Sequence, residues 1–110
     1  MASLGKKTFK GESGEPYRFK VYALGTKLRK LGGVYVITNR SCDQDGGYRH
    51  ATLYVGETED FSQPFERHHK AKDFLKHGAN CICLQMDVSE QSRVAKQQDL
   101  VAKFHPVCND

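Results

Sequence analysis

The chain has 110 residues and a mass of 12.4 kDa, which is the size of one domain. Its composition, 38% hydrophobic and 27% charged, excludes the class of intrinsically disordered proteins. No stretch approaches the ~18 apolar residues of a membrane-spanning helix, and no apolar segment follows the charged N-terminus as it does in a secretory signal. The sequence therefore predicts one cytoplasmic domain that has no membrane partner.

Positive charge is concentrated in the first third of the chain. Residues 1–40 hold nine Lys and Arg against two Glu, whereas the rest of the chain holds eight basic and eleven acidic residues. A basic surface of this kind suits nucleic acid, and the alternative is a solvated surface that keeps the protein soluble. The candidate contacts to phosphates are Arg18, Lys20, Lys27, Arg29, Lys30 and Arg40.

The N-terminal half is predicted to contain an arm and three strands. Residues 1–16 are rich in Gly, Ser, Lys and Glu and are predicted to form a flexible basic arm, with a single domain over residues 17–110. Apolar and basic residues alternate over 17–21, which indicates a half-buried strand. Residues 33–38 and 51–56 are rich in β-branched and aromatic residues, so we expect an antiparallel hairpin with a long loop.

The C-terminal half is predicted to contain two helices around a fourth strand. Ser62 is a candidate N-cap for a helix that ends near His77, with Gly78 as its stop. Residues 81–87 form a short apolar run typical of a strand, and Ser89 is a candidate N-cap for a helix that ends at His105. The predicted class is α/β in the α+β sense: a small, largely antiparallel sheet of three to four strands flanked by helices, in the order β-β-β-α-β-α.

Four cysteines are too few and too unevenly spaced for a disulfide framework. Cys81 and Cys83 would share one face of a strand, where a free cysteine behaves as a small core residue. A zinc site is the less favoured alternative, because the chain has no Cys-x-x-Cys pair.

Gln97 is a polar residue on the predicted inward stripe of the last helix, between Val94 and Val101. An unpaired buried amide costs about 1–3 kcal/mol, so the side chain needs a partner. Two interpretations follow: Gln97 bonds the backbone of a neighbouring strand, or it marks the floor of a polar cleft.

Two tyrosines lie in related tripeptides on the paired strands, Gly33-Val34-Tyr35 and Tyr54-Val55-Gly56. With these tripeptides the sequence resembles the GIY-YIG nuclease superfamily, each with Val in place of Ile. Residues 57–62 resemble the family's turn into its first helix, and residues 97–101 resemble the segment around its metal-binding Glu. Pro106 and Asn109 resemble the Pro and Asn that follow, so the resemblance covers residues 32–109.

The resemblance implies hydrolysis of a nucleic-acid phosphodiester with one divalent metal ion, Mg²⁺ or Mn²⁺. In the family, the first tyrosine, matched by Tyr35, helps to deprotonate the attacking water, and the second, matched by Tyr54, orients the site. An Arg on the first helix stabilises phosphate charge, and a Glu on the second helix holds the metal.

The sequence departs from this family pattern at two positions. The metal-ligand position is occupied by Gln97, which brings no charge, and the arginine position is occupied by Pro64, which offers no donor to a phosphate. Arg67 lies one helical turn after Pro64 and is a candidate replacement. His68 is a further candidate for acid–base chemistry, although histidines among lysines more often lie on an exposed helix surface.

The predicted function is therefore a nuclease-fold domain that binds nucleic acid, DNA rather than RNA, with a weak or inactive phosphodiesterase site. One alternative is an active endonuclease that depends on a divalent metal. Another is a protein-interaction module, an inhibitor or accessory factor, on a nuclease-derived fold.

Overall fold

The computed structural model describes residues 3–63 and 68–109. These residues form five strands and two helices. In chain order the elements are β1 (Gly5–Lys10), β2 (Pro16–Ala23), β3 (Gly33–Cys42), β4 (Tyr48–Thr58), α1 (Ala71–Lys76), β5 (Cys81–Met86) and α2 (Glu90–Phe104), followed by a single 3-10 turn (Val107–Asn109).

The five strands form one antiparallel sheet in the spatial order β1-β2-β5-β3-β4. Two hairpins, β1–β2 and β3–β4, therefore lie on opposite sides of β5, and in the described part of the chain their strands pair with β5 and not with each other. The α+β class and the predicted β3–β4 hairpin are confirmed. Its loop is shorter than expected, because the Asp43 carboxylate accepts hydrogen bonds from the backbone N–H groups of Asp45 and Gly47 and closes a tight turn.

The strand count is a correction to the prediction of three to four strands in the order β-β-β-α-β-α. The additional strand, β1, lies inside the segment 1–16 that was predicted to be a flexible arm. The Gly- and Lys-rich composition of this segment concealed one apolar position: Phe9 is only 3% exposed, and its ring meets that of Phe19 edge-on at 5.4 Å. The exposed residues Thr8 and Lys10 on either side of Phe9 complete the alternation of an edge strand.

The sheet has two covered faces with separate apolar clusters. On the first, called the α2 face, Val34, Val36 and Val55 pack with Leu100 of α2. On the second, called the α1 face, Ile37 and Ile82 pack with Phe74 of α1. The cysteines at 81 and 83 are buried in the first cluster, as the prediction of core cysteines required.

The helices differ from each other in how well the sequence predicted them. Ser89 caps α2 by accepting a hydrogen bond from the Ser92 N–H, and α2 ends before His105, which adopts a left-handed conformation at φ 43°. In contrast, α1 begins after Lys70 and is only six residues long, so the prediction that Ser62 caps it is wrong. The Ser62 hydroxyl and N–H instead donate to the Asp60 carboxylate in a local turn.

Pro64 and Arg67, which were assigned to this first helix, lie outside the described residues. Gly78 follows α1 with φ +76°, a left-handed conformation that ends the helix as predicted. Within the described ranges no helix has the length and apolar character needed to cross a bilayer.

Candidate functional site

The two tyrosines of the tripeptides lie side by side on the α1 face. Tyr35 of β3 is paired with Gly56 of β4, and Tyr54 is paired with Ile37, so both phenol rings project from the same side of the hairpin. Their ring centroids are 6.0 Å apart with the planes inclined by 30°. The spacing predicted from the tripeptides therefore brings these two candidate residues together.

The glycines of the tripeptides are required by close packing. A Cβ atom on Gly56 would overlap the ring and hydroxyl of Tyr35, which lies directly over this glycine. A Cβ atom on Gly33 would overlap the backbone carbonyl of Gln85 in β5 and the ring of Phe61. Each glycine thus lets a neighbour approach the backbone of the sheet more closely than any side chain permits.

His68 completes the cluster. Its Nε2 lies 2.8 Å from the Tyr35 hydroxyl, and its ring centroid lies 5.0 Å from that of Tyr54. The Nδ1 atom of His68 accepts a hydrogen bond from the Lys70 backbone N–H at 3.0 Å, so Nδ1 carries no proton. In the neutral imidazole the proton is therefore on Nε2, and His68 donates to the Tyr35 oxygen. The ring of His69 stacks on His68 with centroids 4.5 Å apart.

The environment keeps the His68 imidazole and the Tyr35 phenol uncharged near neutral pH. Burial lowers the pKa of His68 below its ordinary value of 6.5, and the neighbouring His69 and Lys70 lower it further. Burial likewise raises the pKa of Tyr35, and the adjacent Tyr54 adds to the effect. Because His68 already donates to the Tyr35 oxygen, the phenol proton is left for another acceptor, such as the Tyr54 oxygen or a phosphate. The cluster of Tyr35, Tyr54, His68 and His69 is called the phenol–histidine cluster below.

Gln97 lies elsewhere, at the open edge of β4. Its Nε2 donates to the Val55 carbonyl at 3.3 Å, so the interpretation as a bond to a strand backbone is the one that the structure contains. Asn109 reinforces the same point: its Oδ1 accepts from the Val55 N–H and its Nδ2 donates to the Val55 carbonyl, both at 2.9 Å. Gln97 and Asn109 together form hydrogen bonds with the Val55 N–H and carbonyl, which have no partner strand at this edge of the sheet.

These residues do not form a good site for the expected Mg²⁺ or Mn²⁺. Over residues 3–63 and 68–109, His, Cys, Asp and Glu side chains nowhere gather in threes in an arrangement that could hold a metal ion. Gln97 offers a neutral amide oxygen, whereas these cations prefer several anionic oxygens.

Sequence reasoning missed a buried ion pair next to this edge. The Arg93 side chain on α2 is 8% exposed, and its Nε donates to Glu57 Oε2 at 2.9 Å. Its Nη1 donates to the Asp87 carbonyl at 3.2 Å. The available signal was its position one helical turn before Gln97, on the same inward stripe.

A groove of about 570 Å³ lies on the α1 face beside the phenol–histidine cluster. Three predicted phosphate contacts line it: Arg18 and Lys20 from β2, and Arg29 from the connection between β2 and β3. Leu84 of β5 links the two features, because it is paired with Tyr35 on one side and with Lys20 on the other. The cations and the phenols thus share one face of the sheet.

The remaining predicted cations are more dispersed. Lys27 and Lys30 are exposed in the connection that carries Arg29. Arg40 lies 4.0 Å above the ring of Tyr48, near the tip of the β3–β4 hairpin, and not in the groove. In addition, Lys6 of β1 is paired with Lys20, so it extends the positive surface across the first hairpin.

Comparisons of the chain with protein-family models, curated proteins and solved structures give no match. The resemblance to GIY-YIG nucleases therefore rests on the two tripeptides and the C-terminal motifs alone.

Proposed function

We propose that this domain binds nucleic acid along the α1 face of its sheet, and that the phenol–histidine cluster contacts phosphate with little or no cleavage. The observation that carries the proposal is the cross-strand row Tyr35–Leu84–Lys20. This row sets hydrogen-bond donors and fixed positive charges next to each other on a single surface.

The electrostatics of the groove support binding of a polyanion. Its lining includes Arg18, Lys20 and Arg29, and within residues 3–63 and 68–109 no acidic residue lines it. The first two are exposed on β2, and Lys6 continues the same surface on β1. Lys and Arg side chains placed in this way neutralise phosphates and release counterions.

The chemistry of the cluster favours binding over hydrolysis. A protonated Tyr35 is a donor to a phosphate oxygen, and His68, which donates to that tyrosine, holds the phenol in position. A phosphoryl transition state additionally requires cations at the reacting phosphate. Gln97, at the metal-ligand position, is neutral, and its side chain donates a hydrogen bond to the backbone at the edge of β4.

The proposal is tested by the anisotropy of a labelled 20-base-pair duplex and of a single strand at increasing NaCl. Four phosphate contacts predict a fall in duplex affinity of roughly a hundredfold between 50 and 200 mM salt. Lys20→Gln is expected to weaken binding and to reduce the salt slope by about 1. Lys103→Gln is the matched control, since Lys103 is exposed on α2 at the other face.

Absence of binding to every nucleic acid at 50 mM salt contradicts the proposal. So does an equal loss for Lys20→Gln and Lys103→Gln, because binding would then follow net charge and not the α1 face. A stoichiometric protein partner captured without any affinity for nucleic acid would instead favour the interaction-module alternative.

One observation favours a second candidate function, an active endonuclease that depends on a divalent metal. Tyr35 and Tyr54, which match the two tyrosines of the family, lie side by side with ring centroids 6.0 Å apart. Incubation of plasmid, duplex and branched DNA with Mg²⁺ or Mn²⁺ tests it. Nicking that disappears in Tyr35→Phe supports the enzyme. Activity gained only in the double variant Gln97→Glu, Pro64→Arg supports a decayed site.

A further inference from the structure

The groove on the α1 face has an apolar floor that phosphate binding does not use. Leu28, Leu31, Leu84 and Met86 line it together with Tyr22. Met86 is 68% exposed and Leu31 is 36% exposed, so part of this apolar surface faces water in the free protein. The cations Arg18, Lys20 and Arg29 lie around the same space.

The combination of an apolar floor and a positive rim fits one kind of ligand. Paired and stacked bases of a duplex keep their faces covered, so a duplex would engage the cations and leave the floor unused. An unpaired nucleotide exposes the face of its base and keeps its anionic phosphates, which complements the groove in both respects. The volume of about 570 Å³ lies within the range of pockets that hold small ligands and suits a single nucleotide.

We infer that the groove is a binding site for an unpaired nucleotide, with the base against the leucine and methionine floor and the flanking phosphates on Arg18, Lys20 and Arg29. The inference rests on the proposed function and narrows its ligand to single-stranded nucleic acid or to a strand with unpaired bases. The phenol–histidine cluster then contacts the next phosphate along the strand, because Tyr35 and Lys20 flank Leu84 on the two neighbouring strands.

The ligand class is tested by competition at one salt concentration among three probes with equal numbers of phosphates. These are an oligothymidine strand, a DNA hairpin, and a strand in which the central nucleotides are abasic. We expect the intact strand to bind about tenfold more tightly than the hairpin and the abasic strand, since covering the face of one base with apolar side chains contributes about that factor.

The location is tested with a matched pair of variants. Met86→Glu places a negative charge and a polar side chain in the groove, whereas Val88→Glu makes the same change of charge two residues away, at a position that is 91% exposed. Both positions are exposed, so both variants are expected to fold. Met86→Glu should weaken binding of the intact strand at least tenfold, and Val88→Glu less than threefold.

The failure of this inference differs from the failure of the proposed function. Equal affinity for all three probes, or equal effects of the two variants, overturns the nucleotide site and leaves nucleic-acid binding by charge standing. Absence of binding to all three probes overturns both.

Discussion

At the scale of single residues, the most constrained side chain of the candidate site is His68. A backbone N–H fixes the proton on Nε2, and this proton in turn holds the Tyr35 oxygen. Protonation of Nδ1 at low pH would break the bond from Lys70. The cluster is therefore built around a neutral imidazole.

A first prediction concerns the pH dependence of stability. Burial lowers the pKa of His68 and of His50 below 6.5, so below that pH the unfolded chain binds more protons than the folded one. The free energy of unfolding is expected to fall as the pH falls from 7.5 to 5.0. Asp60, Asp87 and Asp99 have lowered pKa values, about 2 for Asp87, and they add to this fall only below about pH 5, where their unfolded forms begin to take up protons.

Urea denaturation at the two pH values measures this difference. His68→Gln serves as the comparison, because an amide can accept from the Lys70 N–H and donate to Tyr35 without titrating. The decrease should be smaller in His68→Gln than in the parent protein. An identical decrease would mean that His68 titrates normally and is not held neutral.

A second prediction concerns the glycine under Tyr35. Gly56→Ala forces a methyl group into the phenol ring and is expected to lower the free energy of unfolding by about 1–3 kcal/mol. In the background of Tyr35→Ala the same substitution should cost much less, since the ring is absent. Denaturant titration of the four proteins gives the coupling, and purely additive effects would contradict the packing described.

At the scale of elements, the edge of β4 is closed by side chains from the C-terminal segment. Asn109 satisfies both backbone groups of Val55, whereas Gln97 adds one longer bond to the carbonyl. We therefore expect Asn109 to contribute more than Gln97 to the free energy of unfolding.

We predict that Asn109→Ala lowers the free energy of unfolding by about 2 kcal/mol and Gln97→Ala by less than about 1 kcal/mol. Guanidinium denaturation checks the order. If Gln97→Ala were the more damaging change, the amide would have a role beyond the contact with Val55.

A fourth prediction separates a strand from a flexible arm at the N-terminus. Phe9→Ala removes a ring that packs against Phe19 and Phe104, and we expect a loss of about 3–5 kcal/mol in the free energy of unfolding. Lys10→Ala, at the exposed neighbouring position, should change it by less than about 0.5 kcal/mol. Equal and negligible effects would indicate that residues 5–10 do not pack on the sheet.

The sequence predicted elements well where local chemistry determines them. Ser89, Gly78 and the β-branched and aromatic residues of β3 and β4 carry strong local signals, and the elements that depend on them form as expected. The sequence did not indicate β1 because its single buried residue, Phe9, lies in a polar segment. The ring of Phe9 is covered only when β1 pairs with β2 in a hairpin. The length of α1 was overestimated because Ser62 found a local partner in Asp60.

The candidate site was predictable only in part for the same reason. The proximity of Tyr35 and Tyr54 follows from two tripeptides on one hairpin, and the sequence indicated it. The contact with His68, the ion pair of Arg93 and the groove beneath Arg29 depend on how distant segments pack, which no local pattern encodes.

At the scale of the whole molecule, the exposed cations of β1 and β2 and the two phenols come from different hairpins. The first hairpin supplies Lys6, Arg18 and Lys20, and the second supplies the two phenols. Only their placement on one face of a common sheet turns a net charge of +4 into a directed positive surface.

The central position of β5 also determines when the sheet can form during synthesis on the ribosome. Both hairpins are synthesised before β5, and neither pairs with the other. Until β5 has left the exit tunnel, each hairpin presents an open inner edge, and such edges invite pairing with foreign strands. A nascent chain halted before residue 81 would therefore hold its cations and phenols on two hairpins that are not paired in one sheet. Such a chain would be prone to aggregation and could not bind a ligand with both hairpins.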